Sequence, residues 1–122
     1  MAMLQLAELV EHPGLTSFYL EVEDGEPLPY NLLRSGIDFV VAAKQRGHNV
    51  LISCGAGISR SAVFTIAVLK EVEEISLLDA FLVVKQKHPH TLPHPTIWES
   101  VCNYYGEDNI YQIYLPKYSA GK

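Results

Sequence analysis

Cys54 follows the apolar run Val50-Leu51-Ile52 and one serine, and leads through Gly55, Ala56, Gly57, Ile58 and Ser59 to Arg60 and Ser61. If a strand ends at Ser53 and a helix opens near Arg60, the loop between them is an anion cradle. Unpaired backbone N–H groups of the loop and of the first helical turn point into one concavity, and the helix dipole adds partial positive charge there. Gly55 and Gly57 let the backbone approach a ligand with no Cβ in the way. The guanidinium of Arg60 can clasp phosphate oxygens in bidentate fashion. The same field favours a thiolate, so the Cys54 thiol should fall by one unit or more from the ordinary value near 8.5.

With that arrangement Cys54 attacks phosphorus while Arg60 holds the equatorial oxygens. The resulting cysteinyl-phosphate needs an acid for the leaving oxygen and later a base for water. A lone cysteine after a strand is most often a small buried hydrophobe, and a bare C-x5-R pattern arises readily by chance. The conjunction of thiol, two glycines and arginine between a strand and a helix favours the nucleophile. For the acid, the stretch FYLEV (18–22) delivers the loop Glu23-Asp24-Gly25-Glu26. Glu21 should point away from the buried face of its strand, whereas spacing alone does not separate the other three carboxylates. Taken by itself, such a run is a solvated turn.

The elements that must position these groups alternate along the chain. Residues 3–7 are short and apolar enough for a strand, and His12-Pro13-Gly14 signals a turn. Residues 18–22 alternate Phe18, Leu20 and Val22 against Tyr19 and Glu21, as a strand with one more deeply buried face does. Leu33, Ile37, Val40, Val41 and Lys44 recur at helical spacing, with Gly47 as a stop and Gly36 as a local weakness. Residues 49–53 (NVLIS) are expected to form a central, fully buried strand. RSAVFTIAVLKEVEEI, apolar nearly all round at first, predicts a core helix. Ser76 with Asp79 and Thr96 with Glu99 resemble capping boxes for two further helices, the first closed by His88-Pro89 and the second ended by Gly106. The order is an α/β one: strand, strand, helix, strand, helix, helix, helix.

The 122 residues, 48% hydrophobic and 19% charged, suit one soluble domain over 1–122, with a core at about 3–106 and a tyrosine-rich tail at 107–122. The net charge is −5, and Glu8, Glu11, Glu21, Glu23, Asp24 and Glu26 all precede the first base, Arg34. That pattern argues against nucleic acid and anionic membranes as partners. No apolar run could span a bilayer and no signal peptide opens the chain, so a cytoplasmic location is expected. His88, His90 and His94 lie among prolines with no cysteine or carboxylate between them, and read as solvated or capping residues, with no metal site. Cys102 with Trp98, Tyr104 and Tyr105 reads as a packing stripe. A disulfide between Cys102 and an oxidised Cys54 would need the two thiols to approach closely.

CGAGISRS resembles the C-x5-R-S/T signature loop of the cysteine-dependent protein phosphatases, and its AGISRS part resembles the dual-specificity branch. VLIS before it, the helix after it, SLLDAFLVVKQKHP and LPHPTIWESV are similar to that branch in order and spacing, over about residues 3–106. The resemblance implies a protein tyrosine phosphatase-like fold of the dual-specificity type, with a mostly parallel central sheet flanked by helices. It implies a phosphoprotein substrate, no metal and no cofactor. Cys54 would be the nucleophile, and the amides of residues 55–60 with Arg60 would bind phosphate. Ser61 would help to release the cysteine from the phosphoenzyme, and Asp24, 30 residues before Cys54, stands where the family places its acid.

Two departures qualify the match. Ser53 occupies the place of the family's usual histidine, which makes Cys54 less acidic, and a strand pair and helix that usually come earlier are missing. The chain is thus a compact variant or a fragment with an exposed sheet edge. The absence of further basic residues in the loop favours phosphoproteins over phosphoinositides, with phosphoserine and phosphothreonine as additions to phosphotyrosine. The rivals are a pseudophosphatase that binds phosphorylated partners without turnover, and a sulfur-transferring rhodanese-like domain. Nothing in the sequence fixes the oligomeric state.

Overall fold

A computed structural model describes residues 2–6, 16–22, 26–53, 60–89, 91 and 93–107. Among them three strands, β1 (Ala2–Gln5), β2 (Thr16–Tyr19) and β3 (Val50–Ser53), form a parallel sheet in the order β2-β1-β3. In register, Gln5 stands opposite both Tyr19 and Ser53, so the carboxyl ends of all three strands lie on one line. Pairing continues past β2, where the Leu20 and Val22 amides donate to the carbonyls of Gln5 and Leu6 at 2.9 and 3.3 Å. Leu20 and Val22 are buried and Glu21 is exposed, following the alternation of FYLEV.

Among the described residues the four helices are α1 (Tyr30–Gln45), α2 (Arg60–Glu73), α3 (Leu77–Lys87) and α4 (Pro95–Tyr105). Element order agrees with the alternation read from the sequence. Helix α1 joins β2 to β3, the long crossover that parallel strands require. It packs on β1 and β3, and its Phe39 ring meets Phe18 of β2 at 5.2 Å. Helix α2 lies at the centre of the core, with Ala62, Val63, Phe64, Ile66, Ala67 and Val68 all buried. Trp98 of α4 is fully buried and sits 5.7 Å from the Phe81 ring of α3. Each large side chain buried in this way contributes about 1.5–3 kcal/mol.

Gly36 looks like a weak point in α1 but is required by packing. A Cβ there would fall 2.4 Å from Cε1 of Phe64 and 3.1 Å from Cδ1 of Leu20. The missing side chain lets α1 and α2 approach, which outweighs the propensity cost of about 1 kcal/mol. Gly47 and Gly106 adopt φ of +80° and +68° and terminate α1 and α4 where the sequence expects stops.

Three expectations need correction. β3 is not the central strand: among the described residues β1 takes the middle, and Leu51 is 45% exposed. Val50 and Ile52 share the face of Leu4 and Phe18, whereas Leu51 projects from the opposite face, where cover is incomplete. β1 and β2 begin and end earlier than 3–7 and 18–22. Helix α4 is not capped by Thr96; His94 is the N-cap, its Nδ1 accepting from the Thr96 amide at 3.2 Å, with Pro95 in the first turn. Ser76 does cap α3, its Oγ accepting from the Asp79 amide at 3.1 Å. The turn at His12-Pro13-Gly14 and most of the tail lie outside the described residues.

Candidate functional site

Cys54 follows directly from Ser53, whose backbone lies level with Gln5 and one strand away from it. Open parallel sheets hold ligands outside the carboxyl ends of their strands. The chain re-enters the described structure at Arg60, the first residue of α2, which packs against β3. Strand end and helix start therefore flank the segment 54–59 as the sequence required. Cys54 and the loop residues Gly55, Ala56, Gly57, Ile58 and Ser59 lie outside the described residues, as do Glu23, Asp24 and Gly25.

Arg60 reaches from the start of α2 to the far strand. Its Nη1 donates to the Val22 carbonyl at 3.0 Å, immediately before the acidic loop. Its Nε is buried and has no hydrogen-bond partner among the described residues. A buried guanidinium N–H of this kind costs free energy unless an acceptor meets it. Next to it Ser61 is buried, and its carbonyl accepts from the Thr65 hydroxyl at 2.8 Å. The structure thus brings Arg60 and Ser61 to one end of the loop, and Arg60 to the strand that carries the acidic residues. Glu21, before that loop, and Glu26, its last residue, are both exposed.

Sequence reasoning passed over Gln5. This amide is 1% exposed at the carboxyl end of the middle strand, level with Ser53, and its Nε2 donates to Met3 Sδ at 3.2 Å. A polar residue closing an apolar strand was the available signal. Also unforeseen was a polar clasp among three helices. Arg34 of α1 forks onto Glu71 of α2, with Nη2 and Nη1 donating at 2.7 and 3.0 Å, and also reaches Asp38 and the Tyr104 hydroxyl. Tyr105 donates a short hydrogen bond to the same carboxylate.

Charge in the clasp is well compensated. Desolvation opposes ionisation of Glu71, but hydrogen bonds from Arg34 and Tyr105 outweigh it and hold the carboxyl below its usual range. The hydrogen bond to Glu71 leads in raising Arg34, and burial followed by that carboxylate raises Tyr105. Lys70 lies over the Tyr105 ring and pairs with Glu107 at 2.8 Å. Cys102 packs in the core beside this region, and burial pushes its thiol up to about 11.

A family model of the dual specificity phosphatase catalytic domain matches residues 6–107. Mouse dual specificity protein phosphatase 19 is 31% identical over 108 residues, covering 84% of this chain and 48% of that protein. Human dual specificity protein phosphatase 18 is 29% identical over 83 residues, covering 65% of this chain and 44% of that protein. The chain therefore spans less than half the length of either relative. The crystal structure of human DUSP28 matches with a TM-score of 0.76 and 27% identity, over 84% of this chain and 75% of that one. With the family model covering most of its length and the fold agreeing, the chain belongs to the dual specificity phosphatase catalytic-domain family.

Proposed function

We propose that this chain is a single catalytic domain over residues 1–122 that hydrolyses phosphomonoesters on phosphoproteins. Phosphotyrosine is the leading substrate, and phosphoserine and phosphothreonine are further ones. The observation that carries the reading is Arg60. It stands at the mouth of α2, one N–H anchored on the strand of the acidic loop and its buried Nε without an acceptor among the described residues. A phosphate cradled by the amides of residues 55–60 would supply that acceptor.

In the proposed reaction the Cys54 thiolate attacks phosphorus and the phosphorus–oxygen ester bond breaks. Asp24 gives its proton to the leaving oxygen, with Glu23 and Glu26 as the alternative acids. Water then attacks the cysteinyl-phosphate and the acid residue, now ionised, takes its proton. The sulfur–phosphorus bond breaks with the Ser61 hydroxyl hydrogen-bonding the departing thiolate, and inorganic phosphate leaves. Nucleophile, acid and anion holder are all side chains or amides, so this chemistry calls for no metal or cofactor. In line with it we propose a cytoplasmic location; no helix among the described residues is long and apolar enough to cross a membrane.

The test is hydrolysis of an aryl phosphate and of phosphopeptides by the wild type and by Cys54→Ser, with and without chelator. Activity lost in the variant and indifferent to chelator supports the mechanism. Ser53, in place of the family's usual histidine, is the feature that favours the second reading, a pseudophosphatase. Phosphopeptide binding with no turnover would decide for it.

A further inference from the structure

A cavity of about 130 Å³ opens beside the candidate site. Its walls come from the end of the β2 stretch, the segment from Glu26 to Pro29, and the first turn of α1 at Leu32. Of its lining residues Val22 and Leu28 are apolar and buried, whereas Glu21 and Glu26 are acidic and exposed. None of the described residues that line it is basic. The cavity has the scale of one that admits a benzene-sized group, about 150 Å³, and is too small for a cofactor, which needs roughly 300 Å³ or more. Its size suits a single side chain.

The cavity is also braced. The Leu28 amide donates to Ser100 Oγ of α4 at 2.9 Å, and that hydroxyl is itself buried and bonded to the Thr96 carbonyl at 3.2 Å. Pro27 and Pro29 on either side of Leu28 restrict the backbone further. A wall held in this way is largely formed before a ligand arrives. On the other side the cavity shares Val22 with the candidate site, since the Val22 carbonyl accepts from Arg60.

We propose that this cavity is a specificity subsite for a lysine or arginine side chain next to the phosphorylated residue of the substrate. The inference rests on the phosphatase reading. The aliphatic stem of such a residue would cover Val22, Leu28 and Leu32, and its cationic head would meet Glu21 and Glu26. Buried apolar and exposed acidic lining residues together fit that amphipathic shape. An acidic neighbour would meet two like charges, and a purely aliphatic one would leave the carboxylates unpaired.

The experiment compares two phosphotyrosine peptides that differ only in carrying lysine or alanine at the flanking positions. The readout is the ratio of their kcat/KM values within each form of the protein. Wild type should prefer the lysine peptide by about three- to tenfold, the range open to two exposed ion pairs, and added salt should shrink the preference. Glu21→Gln with Glu26→Gln should bring the ratio towards one, and Glu21→Lys with Glu26→Lys should invert it in favour of a glutamate-flanked peptide. Any effect of Glu26 on the shared chemistry cancels in the ratio. A wild-type ratio of one, or a preference that survives both double variants, overturns the subsite. If neither peptide nor an aryl phosphate is turned over, the phosphatase reading fails. The dissociation constants of the same peptides then decide the subsite, and equal affinities overturn it.

Discussion

Arg60 and Val22 are 38 residues apart in sequence, and Arg60 Nη1 lies 3.0 Å from the Val22 carbonyl. The bond ties the first turn of α2 to the strand that leads into the acidic loop. Arg60→Lys keeps the charge but loses the fork that can hold phosphate while one N–H stays on Val22. We expect kcat on an aryl phosphate to fall by about 100-fold or more, the cost of removing a transition-state donor. A steady-state comparison checks this, and near-wild-type turnover would remove Arg60 from the mechanism.

Asp24→Asn should separate leaving groups. General acid catalysis is worth about 10²–10⁴ where the departing oxygen is a poor leaving group. Turnover on alkyl phosphates and phosphopeptides should therefore drop by that order, with less loss on an activated aryl phosphate and inhibition by inorganic phosphate little changed. Unaltered turnover would transfer the role to Glu23 or Glu26.

Gly36→Ala tests the contact between α1 and α2. The new methyl would meet the Phe64 ring at 2.4 Å, closer than any real contact, so the ring or the helix has to shift. Overpacking of this kind costs about 1–3 kcal/mol. Ordinary helix propensity would instead give a gain of about 1 kcal/mol for the same change. The sign of the shift in a denaturant titration distinguishes the two.

The clasp around Glu71 should show in the acid limb of stability. Its folded-state carboxyl is depressed, so the unfolded chain binds the proton more readily. The contribution is complete above the ordinary value of 4.5 and is lost as pH falls through the lower folded value. Arg34 and Glu71 are 37% and 27% exposed, which limits the effect to about 1 kcal/mol. Glu71→Gln should lower the midpoint of thermal unfolding at neutral pH and reduce its decline below pH 4.5. Parallel declines in the two proteins would assign the acid sensitivity elsewhere.

Cys102 should be chemically silent in the folded protein. It is 1% exposed, with a thiol pushed up to about 11 by burial and then by Glu107 and Glu99. Alkylation at neutral pH is expected to modify one thiol per folded chain, at Cys54, and a second only after unfolding. Peptide mapping after iodoacetamide treatment reads this directly, and rapid labelling of Cys102 would contradict the burial.

The parts of this fold that were legible in the sequence are those set by local physics. Helical periodicity located α1, nearly all-round apolarity located α2 and capping patterns located α3 and α4, while Gly47 and Gly106 marked two of their ends. The alternation of Phe18, Leu20 and Val22 announced a strand. What was not legible depends on partners distant in the chain. Nothing in NVLIS says that β1 will take the middle of the sheet, because a run buried on one face reads much like one buried on both. Gly36 looked like a defect until Phe64 was beside it. His94 displaced Thr96 as a cap because an imidazole nitrogen can accept an amide proton as a hydroxyl can, which a pattern based on Ser and Thr overlooks. In the site, the offset from Cys54 to Arg60 was readable. The Arg60 bond to Val22 emerges only when the start of α2 and a strand 38 residues earlier are brought together, whereas Gln5 left a signal in the sequence that was passed over.

The Leu28 amide and the Ser100 hydroxyl are 72 residues apart, which gives the adjoining cavity a place in time as well as in space. During synthesis the segment from Glu26 to Pro29 leaves the ribosome long before its brace on α4 exists. The sheet and α1 can assemble first, because their contacts close shorter loops. The wall of the cavity can be fastened only once the last described helix has formed. A nascent chain that has not yet made α4 thus lacks this brace, and the wall of the cavity is among the last features of the fold to be fixed.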